Sequence, residues 1–90
     1  MKFEWDEHKA AANARKHGVT FDEAMTAFAD WGSTTIPDPD HSEGEYRYLL
    51  IGSSSRGRIL VVSHAERDDN VRIINARRAN ARERRMYGGA

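Results

Sequence analysis

Residues 46–78 read YRYLLIGSSSRGRILVVSHAERDDNVRIINARR. Three β-rich runs stand in this stretch, Tyr46–Gly52, Arg58–Ala65 and Val71–Ala76, separated by Ser53–Gly57 and Asp68–Asn70. Branched and aromatic residues fill the runs, while Gly, Ser, Asp and Asn fill the gaps. The segment therefore predicts three strands and two turns. Turns this short join antiparallel neighbours, because parallel strands need a long crossover between them. The glycine-bearing gap is not a phosphate loop. Ile51-Gly52-Ser53-Ser54-Ser55-Arg56-Gly57 lacks the P-loop lysine, and no helix follows it.

The flanks supply the helices. Upstream, Thr20-Phe21-Asp22-Glu23 reads as a T-x-x-E capping box. Phe21, Ala24, Met25 and Phe28 then fall at i, i+3, i+4 and i+7, one apolar helix face, with Trp31 near its end. Before it, Asp6 can cap an alanine-rich helix running through Arg15–His17 and ended by Gly18. Lys16 and His17 suit the negative end of that helix dipole. Met1–Trp5 alternates as a strand does, with Phe3 and Trp5 on one side. Ser33–Ile36 predicts a short strand stopped by Pro37 and Pro39, and Asp38–Gly44 a polar, mobile loop. From Ala79 to about Tyr87 the propensities favour a helix, loosened by Gly88-Gly89. The order β-α-α-β-β-β-β-α predicts an α+β fold: a small antiparallel sheet, two N-terminal helices packed on one face, and a C-terminal helix. Residues 1–90 fit a single domain.

Composition excludes several classes. Ninety residues are too few for a multidomain enzyme, a Rossmann dehydrogenase or a kinase. With no cysteine there is no thiol nucleophile, disulfide or Cys-based zinc site, which suits a reducing cytoplasm. No apolar run is long enough for a membrane helix, and the N-terminus has no hydrophobic signal region. His8, His17, His41 and His64 show no i, i+4 pair, and Asp38-x-Asp40-His41 reads as a solvated turn, so no metal site is expected. The core is thin, with only fifteen Leu, Ile, Val and Phe residues but twelve alanines. Help from a protein partner would suit so small a core.

The net charge of zero conceals a separation. Residues 1–45 hold ten acids against four bases, a charge of −6, and residues 46–90 hold the reverse, +6. After Asn70 come six arginines (Arg72, Arg77, Arg78, Arg82, Arg84, Arg85) and one acid, Glu83. That half can meet a polyanion, or it can be a solvated arginine-rich helix. In an antiparallel meander Arg47, His64, Arg67, Arg72 and Arg77 can converge on one surface. Arginines there would hold a phosphate, and His64, titrating near neutrality, would move protons. Equally, His64 reads as a strand-end histidine satisfied by a neighbour, and each arginine as half of a salt bridge. Tyr46 and Tyr48 share a strand face and suit either base stacking or sheet packing.

The residues also carry a family pattern. Phe3-Glu4-Trp5-Asp6, Lys9, Asn13, Lys16-His17-Gly18-Val19 and Phe21-x-Glu23-Ala24 resemble the N-terminal signature of the BrnT family, the toxins of BrnT/BrnA type II toxin–antitoxin systems. The second half is similar to that family as well. It has Arg47 before Ile51-Gly52, then Gly57-Arg58-x-Leu60-x-Val62 and His64-x-x-Arg67. Arg72-Ile73-Ile74-Asn75-Ala76-Arg77-x-Ala79 follows, with Glu83 and Tyr87. The resemblance runs from about residue 3 to 87 and departs at Asn75, where the family commonly has serine.

The resemblance implies a RelE-like fold and a bacterial, cytoplasmic endoribonuclease that cleaves RNA without a metal or cofactor and inhibits translation. It implies a BrnA-type antitoxin partner, a ribbon–helix–helix protein through which alone the complex would touch operator DNA. It implies catalytic roles for His64 (proton transfer), Arg67 and Arg77 (phosphate contact), Tyr87 (positioning) and Glu83 (acid–base, or a salt bridge to an arginine). Arg47, Arg72 and Arg78 would bind RNA. Arg82, Arg84 and Arg85 would give general attraction or antitoxin contacts. A non-catalytic RNA-binding module and a degenerate toxin serving only as co-repressor are the competing readings.

Overall fold

A computed structural model describes residues 2–38 and 45–87. The elements follow the order β1 (Lys2–Glu4), α1 (Glu7–His17), α2 (Phe21–Ala27), β2 (Thr34–Pro37), β3 (Arg47–Ser53), β4 (Ile59–Arg67), β5 (Asn70–Arg78) and α3 (Ala81–Met86). Residues 39–44 of the expected loop, with its Asp40 and His41, and the Gly88-Gly89 end lie outside the described residues. No helix among those described is long and apolar enough to cross a membrane.

Local chemistry sets the helix ends. The Asp6 carboxylate accepts the His8 and Lys9 N–H groups at 2.8 and 3.1 Å and so starts α1. Gly18 ends it in the left-handed conformation, φ 68°, where its N–H reaches the Ala14 carbonyl. Thr20 Oγ1 accepts the Glu23 N–H at 3.0 Å, but the Glu23 side chain does not return the bond. It turns inward to Ser54 and Arg58 instead, so only half of the expected capping box forms. The full box is at Asn80 and Glu83, which start α3. Helix α2 stops at its C-cap Phe28, and Trp31 stands beyond it, fully exposed rather than on the apolar face.

The sheet order is β1-β5-β4-β3-β2. The last four strands in sequence pair antiparallel, as their short connections require. The sheet is nevertheless mixed, because β1 pairs parallel to β5, Phe3 opposite Val71. Helices α1 and α2 follow β1 and supply the crossover that a parallel edge strand needs. The hydrophobic core lies between these helices and one sheet face, with Val19, Phe21, Ala24 and Ala27 against Leu50, Leu60, Val62 and Ile73. Alanine suits this core because it lets α2 lie close. A Cβ at Gly52 would come within 3.0 Å of the Ala27 carbonyl oxygen, so β3 also gives up a side chain there. Buried Asn13 locks α1 to the sheet: its amide nitrogen donates to Val19 and Ala76 carbonyls at 2.9 and 2.8 Å, and its oxygen accepts the Ala76 N–H. The opposite sheet face carries a smaller cluster, Ile51, Val61 and Ala79, flanked by Tyr87 beyond α3.

Candidate functional site

Strand alternation decides which charged side chains share a face. Arg72 and Arg77 are five residues apart, an odd number that places them on opposite faces of a regular strand. A bulge corrects this. Ser63 pairs with Asn75 while His64 pairs with Ile73, so Ile74 is an extra residue in β5. After it the phase reverses, and Arg72, Asn75 and Arg77 all belong to the face opposite the main core, with the start of α1 reaching its β5 edge. On that face Arg47 and Arg72 flank Ala65, Leu49 and Asn75 flank Ser63, and Ile51 and Arg77 flank Val61. Arg67, two residues beyond Ala65, follows the same side. Four of the expected arginines thus lie on one open sheet face.

The face has two poles. At one, Arg47 and Arg72 line a small cleft of about 60 Å³ with Lys9, Asp6 and Glu45. At the other, Arg77 grips Glu83 through two parallel hydrogen bonds of 2.8 Å each. The same Glu83 carboxylate accepts the Asn80 N–H at 2.9 Å, while Asn80 Oδ1 accepts the Glu83 N–H at 2.8 Å. The Arg77 bonds hold the Glu83 carboxyl below its ordinary range, so it is ionised at neutral pH. Asn80 therefore orients Glu83, and its N-x-x-E spacing is itself a readable cap. Tyr87 donates to Asp30 Oδ2 at 2.7 Å, and Asp30 also accepts the Ser53 and Gly32 N–H groups. This ties the end of α3 to the α2–β2 turn and raises the Tyr87 phenol above its usual range. No local signal marks Asp30, whose partner Tyr87 lies 57 residues away.

Two expected site residues are not brought to this face. His64 alternates to the covered side and is 1% exposed. Its ring meets Phe28 edge-on at 4.8 Å and stacks on Tyr48 at 5.8 Å, and Nδ1 lies 3.2 Å from the Val62 carbonyl oxygen. Burial pushes its pKa below 6.5, toward the neutral ring. The group expected to move protons on the surface is therefore a core residue, because β4 alternation and the register after the bulge point it inward. Its stabilising effect is complete above the unfolded value near 6.5 and is lost as pH falls. An imidazole NMR titration should find the His64 pKa lower than that of a histidine in an unfolded peptide, and an unshifted or raised value would contradict the buried placement. Arg78, paired with Leu60, likewise falls on the other side from Arg77.

Arg67 ends β4 beside the carboxylates of Glu66, Asp68 and Asp69, which line the hollow at the β4–β5 turn. That hollow is roomier than the arginine-lined cleft, yet its acids repel a polyanion, so the arginine-bearing face is the better site. Tyr48 packs on His64, whereas Tyr46 is exposed. Arg84 spends one N–H on the Ala79 carbonyl at 2.9 Å. Among the described residues, no three His, Asp or Glu side chains gather as metal ligands.

A solved structure shares this fold. The crystal structure of the Brucella abortus ribonuclease toxin, BrnT, aligns with a TM-score of 0.69 at 24% identity, over 89% of this chain and 97% of that one. No curated protein matches. At that identity the structural likeness speaks for the fold. Ancestry rests on a family model, described as the ribonuclease toxin BrnT of type II toxin–antitoxin systems, which matches residues 5–83. The matched span contains the four arginines of the open face and Glu83, and leaves out only Tyr87 of the site. A match over that much of the sequence shows that the chain belongs to the BrnT family of ribonuclease toxins.

Proposed function

We propose that the chain is a metal-independent endoribonuclease that binds RNA across the open sheet face, inhibits translation in the cytoplasm, and is neutralised by a BrnA-type ribbon–helix–helix antitoxin. The observation that carries this reading is the β5 bulge, which brings Arg72 and Arg77 to the same face as Arg47. RNA carries its own nucleophile. The 2′-oxygen attacks the adjacent phosphorus, the bond from phosphorus to the 5′-oxygen breaks, and a cyclic phosphate and a 5′-hydroxyl remain. The protein must stabilise charge on the phosphoryl oxygens and move one proton.

Arg77 takes the first task, using guanidinium N–H groups beyond the two that hold Glu83 and the one that reaches the Arg78 carbonyl. Glu83 takes the second. Its ionised carboxylate accepts the 2′-proton and returns it to the departing 5′-oxygen. A phosphate that draws Arg77 toward itself weakens the pair that keeps the Glu83 pKa low, so substrate makes this carboxylate a better base. Arg47 and Arg72 hold a phosphate farther along the strand, and Arg67 adds attraction at the rim. Tyr87 positions α3, and with it Glu83, through Asp30. His64 supports the strand under the site.

The test is cleavage by the purified chain in excess EDTA, together with protein synthesis in cells expressing it without antitoxin. Undiminished cleavage giving cyclic phosphate ends, and arrested synthesis, are expected. Cleavage abolished by EDTA rejects the metal-free route, and RNA binding without cleavage favours a non-catalytic module.

A further inference from the structure

One surface feature plays no part in that chemistry. Trp31 is fully exposed in the turn between α2 and β2, and Met86 is 41% exposed at the end of α3. They flank one seam. Asp30 and Gly32, the neighbours of Trp31, both approach Tyr87: Asp30 accepts its hydroxyl, and a Cβ on Gly32 would lie 3.4 Å from that oxygen. The Asp30 carboxylate, engaged by Ser53, Gly32 and Tyr87, stays ionised and is the seam's own acid, set against the arginines of α3. The exposed Arg82 and Arg85 side chains lie on α3 itself. The seam thus offers an indole and a thioether beside guanidinium groups. Tryptophan and arginine are the side chains that most often dominate binding energy when a partner buries them.

We propose that this seam is a docking site for the antitoxin, and that it takes an apolar anchor flanked by carboxylates. The claim rests on membership in a toxin–antitoxin family, not on RNA cleavage. The charge pattern favours an acidic protein segment. Position argues for protein over RNA: α3 leaves β5 at Asn80 and reaches the β2 side at Tyr87, so Trp31 lies across the helix from the Arg77 pole. A partner gripping Trp31 and Met86 also holds the helix that carries Glu83, and so reaches the reactive pole without filling the RNA face.

The test uses the full chain and its cognate type II antitoxin. Affinity is measured by calorimetry for wild type, Trp31→Ser and Arg85→Glu, with thermal melting and RNA affinity as controls. Trp31→Ser should weaken the complex about 30-fold or more, with melting and RNA affinity unchanged. Arg85→Glu should weaken it less. Unchanged affinity for the antitoxin overturns the proposal, as does a wild-type chain that does not bind it. Lost RNA affinity with intact antitoxin binding identifies a base-stacking platform instead. A dimer of the free chain that becomes monomeric in Trp31→Ser, with antitoxin affinity intact, identifies self-association. A wild-type chain that binds the antitoxin but cleaves no RNA would refute the catalytic reading and leave the docking site standing.

Discussion

Arg77→Ala should lower the rate of RNA cleavage about 10²–10³-fold, the usual cost of removing one preorganised donor aimed at developing charge. The phosphoryl oxygens lose their guanidinium at the reactive pole, and Glu83, its carboxyl no longer held down by Arg77, becomes a somewhat better base that offsets only a small part of that loss. The fold should survive the change. Asn80 still caps α3 and holds Glu83 through its own N–H, and Tyr87 still bonds Asp30. The Arg77 side chain is 37% exposed, so its pair with Glu83 contributes at most about 1 kcal/mol. Arg77→Lys separates charge from geometry: it keeps the cation, loses the two-pronged grip on Glu83, and should recover only part of the rate. RNA affinity supplies an independent readout. Removing one phosphate contact should reduce the salt dependence of single-strand binding by about 0.7 in the slope of log K against log salt. Arg77→Ala protein that melts like wild type and cleaves at the wild-type rate would place the reactive pole elsewhere, with the Arg47–Arg72 cleft the next place to look.

Much of this geometry is legible in the residues, and the reasons for the remainder are specific. Alternation and turn chemistry locate β3, β4 and β5, and Asp6 and Gly18 bound α1, because these signals act within a few residues. Pairing over long distance leaves no such mark. Phe3 alternates as a strand residue, but nothing in Lys2–Glu4 says that it joins β5 in parallel. The bulge at Ile74 is equally silent, yet it decides the site. Without it, simple alternation separates Arg72 from Arg77 and offers no single arginine-bearing face. His64 shows the converse problem. Its identity suggests chemistry, but burial depends on Phe28 and Tyr48 arriving from other elements. Similarly, Thr20-x-x-Glu23 is a sound capping pattern whose second half yields to a stronger claim on the glutamate from Arg58, 35 residues away. The family resemblance adds the candidate set Arg47, His64, Arg67, Arg77, Glu83 and Tyr87. The structure adds which of those candidates face the same way.

Arg58→Ala should cost about 3 kcal/mol of stability, a large share of what a domain this small possesses. The Glu23 side chain is 5% exposed, and its carboxylate accepts bonds from Ser54 Oγ at 2.7 Å, Arg58 Nε at 2.9 Å and a second, shorter one from Arg58 Nη2. Arg58 also donates to the Gly18 carbonyl at 3.0 Å, so one guanidinium joins the β3–β4 turn to α2 and to the end of α1. Removing it leaves a buried carboxylate with Ser54 and, at 3.9 Å, the largely exposed Arg56. The pH dependence identifies the cause. In the wild type the Arg58 hydrogen bonds, the largest influence, lower the Glu23 pKa. The resulting stabilisation is complete above the unfolded carboxyl value of about 4.3 and disappears as pH falls through the folded value. In Arg58→Ala the same burial, no longer opposed by that cation, pushes the carboxyl upward, and protonation relieves the strain. The stability difference between wild type and variant should therefore be greatest near neutrality and shrink on acidification. Urea unfolding of both proteins at pH 7 and pH 4 measures it. Glu23→Gln combined with Arg58→Met should recover most of the loss, because it removes both charges while keeping similar volume. A difference that stays constant with pH, or a double variant no better than Arg58→Ala, would mean that Arg58 acts through packing of its aliphatic stem rather than through its charge.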